Sequence, residues 1–458
     1  MSVKSNRKVN LTEGPIFKSL LAFTVPILLG SIVTQLYNVA DSVIVGRFVS
    51  ADALASVSAA TPVMSFINMF MIGLSSGSNV VIAQRVGAGN KEALQRAVGT
   101  IGCLTMLCGL GVTVLGLLAA KPLLIALGTP ETILRDSLLY LVVIYLGTTG
   151  NMIYQMGSGA LRGMGDSTWP FYFLVFCSSL NVVLDLVSVL LLHMGVLGVA
   201  IATAVSQLLS GIGVIYRMNH GGYGVHIGLK ELKLDPKETG NVTAIGLPAA
   251  IQNVGNSLAS ILVQSSVNVF GTSFIAANSI VTKVDDMINI PVVALSTALC
   301  TFVGQNMGRF DLGRIRKGIN YSILSLTGLG VFMTGFLILF RNWLPYMFSN
   351  EPAVVSFAST GILIMSFQCL FHGIDRCLVN AMRGAGKSVV PMITAQFGVF
   401  SRIPLAYFLG ACTGNFRGIF YALLIASFLR CAAIAVYYYC GGWKRAILKF
   451  EEKNRRGN

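Results

Sequence analysis

Hydrophobic residues fall along this chain in twelve long runs, broken inside only by scattered hydroxyls, amides, glycines and rare charges, and separated mostly by short polar turns. A helix needs about 20 apolar residues to cross a hydrocarbon core roughly 30 Å thick, so each run predicts one membrane-spanning helix. The predicted cores lie near 17–40, 53–82, 97–120, 137–160, 170–192 and 196–217, then 243–269, 273–302, 318–340, 353–379, 389–412 and 417–440. One polar gap is much longer than the rest. It predicts a division into an N-terminal tail (1–13), an N-lobe of six helices (14–218), a linker (219–241), a C-lobe of six helices (242–442) and a basic C-terminal tail (443–458).

The polar punctuation repeats. Leu161-Arg162-Gly163-Met164-Gly165-Asp166-Ser167-Thr168-Trp169-Pro170 returns as Met382-Arg383-Gly384-Ala385-Gly386-Lys387-Ser388-Val389-Val390-Pro391, with Arg162 and Arg383 separated by 221 residues. The same spacing pairs Thr61 with Thr282, Gln84 with Gln305 and Gly87 with Gly308, while Pro26 meets Pro248 one residue out of step. The chain therefore reads as a duplication. The expected fold is all-α and integral to the membrane, with twelve transmembrane helices in two six-helix lobes related by a pseudo-two-fold axis along the membrane normal. Such an architecture commonly moves a solute past a central site.

Composition narrows the class. Of 458 residues 54% are hydrophobic and 11% charged, and the mean hydropathy is +0.73, which excludes an ordinary soluble domain. The net charge of +15 invites a nucleic-acid reading, but the basic residues concentrate in the tails and in alternate loops. With both termini cytoplasmic, only Arg47, Lys121, Arg135, Arg341 and Arg417 fall on the outer side. The excess is a topology signal, helped in the tail by attraction of Lys444, Arg445, Lys449, Lys453, Arg455 and Arg456 to anionic lipid. No nucleic-acid partner is expected. The nine Cys sit almost wholly inside the runs, with no Cys-x-x-Cys pair and no His at ligand spacing, so neither a disulfide nor a zinc site is expected. Phosphate loops and zinc-protease motifs are missing too, so no enzyme activity and no cofactor are expected.

Candidate chemistry follows from charge at membrane depth, which is costly and usually retained for a task. The first-half runs hold only Asp41 and Asp185, without Lys or Arg beside them. Two uncompensated carboxylates must bind protons or hold a cation. Each lies on a polar stripe at helical spacing: Thr34, Tyr37, Asn38 and Asp41 on the first helix, Ser178, Asn181, Asp185 and Ser188 on the fifth. A third stripe, Thr203, Ser206, Gln207 and Ser210, runs along the sixth. Converging carboxylate, amide and hydroxyl oxygens suit a hard cation. The second half differs, because Lys283, Asp285, Asp286, Asp375, Arg376 and Arg402 sum to zero and read as a structural ion-pair network, with Lys283 and Asp286 spaced to pair. Coupling to transport is the alternative reading of that network.

At these residues the chain resembles the multidrug and toxic compound extrusion (MATE) transporters, more closely their DinF-like branch, over almost its whole length. The resemblance rests on Pro26, the run Gln35-Leu36-Tyr37-Asn38-Val39-Ala40-Asp41-Ser42-Val43-Ile44-Val45-Gly46, the segment Gln84 to Gly87, and Arg162-Gly163-Met164-Gly165-Asp166-Ser167. It implies an antiporter that expels organic, often cationic and lipophilic, compounds as Na⁺ or H⁺ runs inward across the plasma membrane. It also implies a cation or proton site at Asp41, Asn181, Asp185 and Thr203, with Na⁺ as one candidate occupant, and a bend of the first helix at Pro26. A proline in a helix removes one backbone hydrogen bond, which is compatible with a hinge or a static kink.

A substrate cavity is expected at Thr34, Tyr37 and Asn38 together with Asn151, Tyr154 and Gln155, which share a polar face of the fourth helix with Thr148 and Ser158. Expected partners are small organic solutes and membrane lipids, and the expected state is a monomer. A flippase or exporter of a lipid-linked or other metabolite is the alternative function. An intramembrane enzyme or receptor is disfavoured by the duplication and by the missing catalytic constellation.

Overall fold

The structure, a computed structural model, describes residues 9–442; the first eight residues and the expected basic tail at 443–458 lie outside them. Among the described residues there are thirteen α-helices: α1 (Ile16–Ile44), α2 (Ala51–Gly87), α3 (Lys91–Ala126), α4 (Glu131–Gly163), α5 (Thr168–Leu186), α6 (Gly195–His220), α7 (Pro236–Asn268), α8 (Thr272–Gly308), α9 (Leu312–Phe340), α10 (Pro352–Ser366), α11 (Gln368–Gly384), α12 (Val389–Ala406) and α13 (Arg417–Tyr437). Short π-helical turns continue α1, α5, α12 and α13. Contacts divide the chain into two compact units, one comprising Leu21–Ala250 with the residues before Pro15, the other running from Ile251 onward with Pro15–Leu20.

Among the described residues ten helices are long and apolar enough to cross a membrane, and α10 with α11 makes an eleventh, bent by 47°. The single helix expected over 353–379 is thus two. The Thr334 hydroxyl of α9 donates to the Ser366 carbonyl (2.9 Å), giving a partner to a backbone group at the break. The remaining helix, α7, has the length, with 33 residues, but interrupts its apolar face with Gln252, Asn253, Asn256 and Gln264.

The repeated residues do the same local work in both halves. Asn90 and Asp311, again 221 apart, accept the backbone N–H of Ala93 and Arg314 (2.9 Å each) and so cap α3 and α9. Gly163 and Gly384 sit where helices touch. A Cβ on either would stand 2.6 Å from a carbonyl, of Asn79 or of Cys300, and 2.9 Å from the Cβ of Ile82 or Val303. Gly165 and Gly386 take φ of 89° and 81°, the left-handed conformation that ends α4 and α11. There Asp166 N–H donates to Leu161 O (3.0 Å) and Lys387 N–H to Met382 O (2.9 Å). Pro170 and Pro391 stand in the first turns of α5 and α12, where an N–H has no helical partner.

In the first unit α4 is central, packing on α2, α3 and α6 around Tyr140, Leu141, Tyr145, Val199 and Ala200. In the second, α8 and α11 hold that place, and Phe274 gathers Phe270, Phe357, Phe416 and Phe420 about itself.

The segment before α7 is tied to the first unit. The Gln95 side chain pairs with both backbone groups of His226 (2.7 and 2.8 Å), and the buried Thr100 hydroxyl lies between Lys233 O and Asp235 N–H (3.2 and 3.1 Å). Arg85 meets Glu238 at 2.6 Å. The Asp166 carboxylate accepts from Tyr223 (2.5 Å), and Arg217 stacks on Trp169 with its charge 4.5 Å from the ring centre. Burial and the Asp166 carboxylate push the Tyr223 hydroxyl above its ordinary range, so it stays a donor.

Candidate functional site

α1, α5 and α6 each contribute one polar stripe to the interior of the first unit. Asp185 on α5 has 0% exposure and Asn181, one turn earlier, 2%. Thr203 on α6 is buried beside them, and Asp41 on α1 is half-buried. The carboxyl groups of Asp41 and Asp185 lie within hydrogen-bonding reach of each other. Each also keeps a buried oxygen, Oδ1, that no hydrogen bond satisfies. Two acids in contact repel when both are ionised, so such a pair suits a proton or a cation between its members.

Asn181 responds to that choice. With its amide nitrogen turned to Asp185 it donates to Oδ2 (2.8 Å) and its oxygen accepts the Thr203 N–H (3.1 Å), an arrangement suited to ionised Asp185. In the opposite orientation the amide donates to Thr203 Oγ1 (3.2 Å), and the Asn181 oxygen then faces Asp185, which must supply the proton. The Thr203 hydroxyl donates to Val199 O (3.0 Å), leaving its lone pairs to the site. Tyr37 of α1 and the buried Tyr140 of α4 both lie in the field of the two acids. Asp41, Asn181, Asp185 and Thr203 are therefore gathered with Tyr37. The unpaired oxygens fit a small hard cation such as Na⁺ as well as a proton.

The expected cavity residues disperse. Thr34 spends its hydroxyl on Gly30 O (3.0 Å), and Asn38 is exposed. Asn151 donates to Asn68 on α2 (2.9 Å) and Tyr154 to Pro170 O on α5 (3.2 Å), so both tie helices together. Gln155 is half-buried, and its carbonyl accepts the Ser75 hydroxyl (2.6 Å). An apolar cavity of about 280 Å³ among Ile101, Thr105, Ile153, Val214 and Leu232, and a more polar one of about 540 Å³ beside Arg341 and Tyr346, hold neither acid. Pro26 lies inside an uninterrupted α1.

The charges of the second unit depart from expectation. Lys283 and Asp286 do not pair; both are exposed, and the Lys283 ammonium stands 5.8 Å from the Phe348 ring centre. Asp375 pairs instead with Arg430 of α13, at 2.9 Å. Both side chains are buried there, whereas the three-to-four-residue spacing of Lys283 and Asp286 leaves theirs at a surface. Sequence reasoning missed Tyr140 and Asn68, and it left Arg430, a charge within a predicted span, out of the ion-pair network. Tyr140 was within reach, since it shares a helical face with Thr148, Asn151 and Gln155.

Two units of long apolar helices, with an uncompensated acid pair buried in one, define a multi-pass membrane protein of the solute-carrying class. The MatE family profile matches residues 26–187 and again 248–408, so the chain belongs to the MatE family, and the double match restates its duplication. Among similar proteins, the probable multidrug resistance protein YoeA of Bacillus subtilis (strain 168) is 28% identical over 408 residues, 87% of this chain and 88% of the relative. The probable multidrug resistance protein NorM of Thermotoga maritima is 26% identical over 456 residues, 96% of each. A crystal structure described as MATE in the bent conformation superimposes with a TM-score of 0.89 at 22% identity, covering 98% of this chain and 99% of that one. The fold is the twelve-helix, two-lobed one of those transporters.

Proposed function

We propose that the protein is a multidrug efflux antiporter of the plasma membrane, exchanging small organic, often cationic, compounds for Na⁺ or H⁺ through the pair Asp41 and Asp185. The observation that carries this reading is the closeness of two carboxylates that pair with no Lys or Arg among the described residues. Such a pair exchanges a proton or cation as the site opens to one side or the other, and so ties solute movement to an ion gradient. Relatives named for multidrug resistance support the choice of cargo. Asn181 and Thr203 complete the ion site, Tyr37 borders it, and both termini face the cytoplasm of a monomer.

The test is transport by purified protein in vesicles, following a fluorescent organic cation such as ethidium under an imposed Na⁺ or H⁺ gradient. Uptake driven by one gradient and abolished by its collapse is the expected result. Equal movement without either gradient would remove the antiport mechanism.

A further inference from the structure

The second unit buries a charge imbalance of its own. The guanidinium groups of Arg376 (α11), Arg402 (α12) and Arg430 (α13) act on one another and on the carboxylates of Asp285 (α8) and Asp375 (α11), while Arg383 acts on Arg376 and Asp286 on Asp285 at the edge of the cluster. His372 adds no charge when its Nε2 accepts from the Gln368 amide (2.8 Å) and its Nδ1–H donates to the Asn289 oxygen (2.9 Å). Lys283 is exposed and stands by the Phe348 ring, apart from this cluster. With Arg383 and Asp286 counted, four buried or half-buried cations thus face three anions. The Nε–H groups of Arg376, Arg402 and Arg430 are buried and donate to nothing, and Arg430 is only 4% exposed. Its place is built: Gly398 of α12 carries no Cβ where one would stand 2.4 Å from the Cβ of Arg430.

A spare buried positive charge with unmet donors calls for an anion. Guanidinium forks match the paired oxygens of carboxylate and phosphate, which makes those groups better occupants than a spherical halide. We infer that Arg376, Arg402 and Arg430 form an anion site in the second unit that takes the carboxylate or phosphate of an organic solute. The inference rests on the reading of the chain as a solute carrier and goes beyond it, because a solute bound at this site carries an acidic group.

Thermal unfolding of the full-length protein in detergent and a zwitterionic buffer tests this with phenyl phosphate, benzoate, inorganic phosphate and chloride as probes. Phenyl phosphate or benzoate should raise the melting temperature saturably. Arg402→Gln leaves three cations on three anions; it should keep its stability without probe and lose the response by about tenfold or more in apparent affinity, while Arg402→Lys retains part of it. Asp41→Asn should respond as the parent does, which separates this site from the coupling site. Stabilisation by inorganic ions alone, an undiminished response in Arg402→Gln, or no response to any probe overturns the proposal. So does an unstable Arg402→Gln that Asp285→Asn restores, since that marks a closed structural network.

Discussion

Asp41 is half-buried and Asp185 fully so, yet each leaves an oxygen unsatisfied against the other, and that places the cost of charge on both. Removing one charge relieves repulsion without opening a cavity, because Asn is nearly isosteric. Asp41→Asn should therefore insert and melt like the parent while gradient-driven ethidium efflux falls to background; undiminished resistance at equal expression would contradict the assignment. Thr203→Ala separates the two coupling ions. It removes an oxygen a cation needs and a proton does not, so a Na⁺ site should weaken by about tenfold in calorimetry whereas a proton site keeps its transport. Both acids were legible in the sequence because charge is rare in such helices. Asn68 and Arg430 were not, since their roles depend on which way neighbouring helices face. Lys283 and Arg430 mark the difference: Lys283→Ala should change stability by no more than about 0.5 kcal/mol, and Arg430→Met, stranding Asp375, should cost about 3–5 kcal/mol in thermal unfolding.

Helices here are specified by hydropathy but placed by small residues. Gly163 and Gly384 let α4 and α11 approach α2 and α8 at matched carbonyls, so Gly163→Val and Gly384→Val should each destabilise their lobe by about 1–3 kcal/mol or more, read as lower yield and melting temperature. The repeated phrase announced these contacts before any coordinates did, because an invariant spacing of glycine, glycine and proline has few physical readings. The break between α10 and α11 was silent. Ser366-Phe367-Gln368 contains neither Pro nor Gly, and the partner of the Ser366 carbonyl, Thr334, lies one helix away in space and 32 residues away in sequence. The start of α7 at Pro236 was equally hidden, inside a stretch whose charges read as linker.

For the whole molecule the duplication and the basic-residue asymmetry were legible, while the division of the compact units inside α7 was not. Leu229, 92% exposed, offers a test of the proposed orientation: in a cysteine-free background, Leu229→Cys should react with a membrane-impermeant maleimide only when the cytoplasmic face is open to it. The ties that hold 219–241 also bear on what covalent continuity is for. Gln95 grips the backbone of His226 on one side of Leu229, and Thr100 and Arg85 grip Lys233, Asp235 and Glu238 on the other. A chain severed between Leu229 and Lys230 keeps both cut ends seated on the same body. Two genes, one ending at Leu229 and the other starting at Lys230, should thus yield fragments that purify as one particle, as if the peptide bond there were the last stitch in a seam already closed.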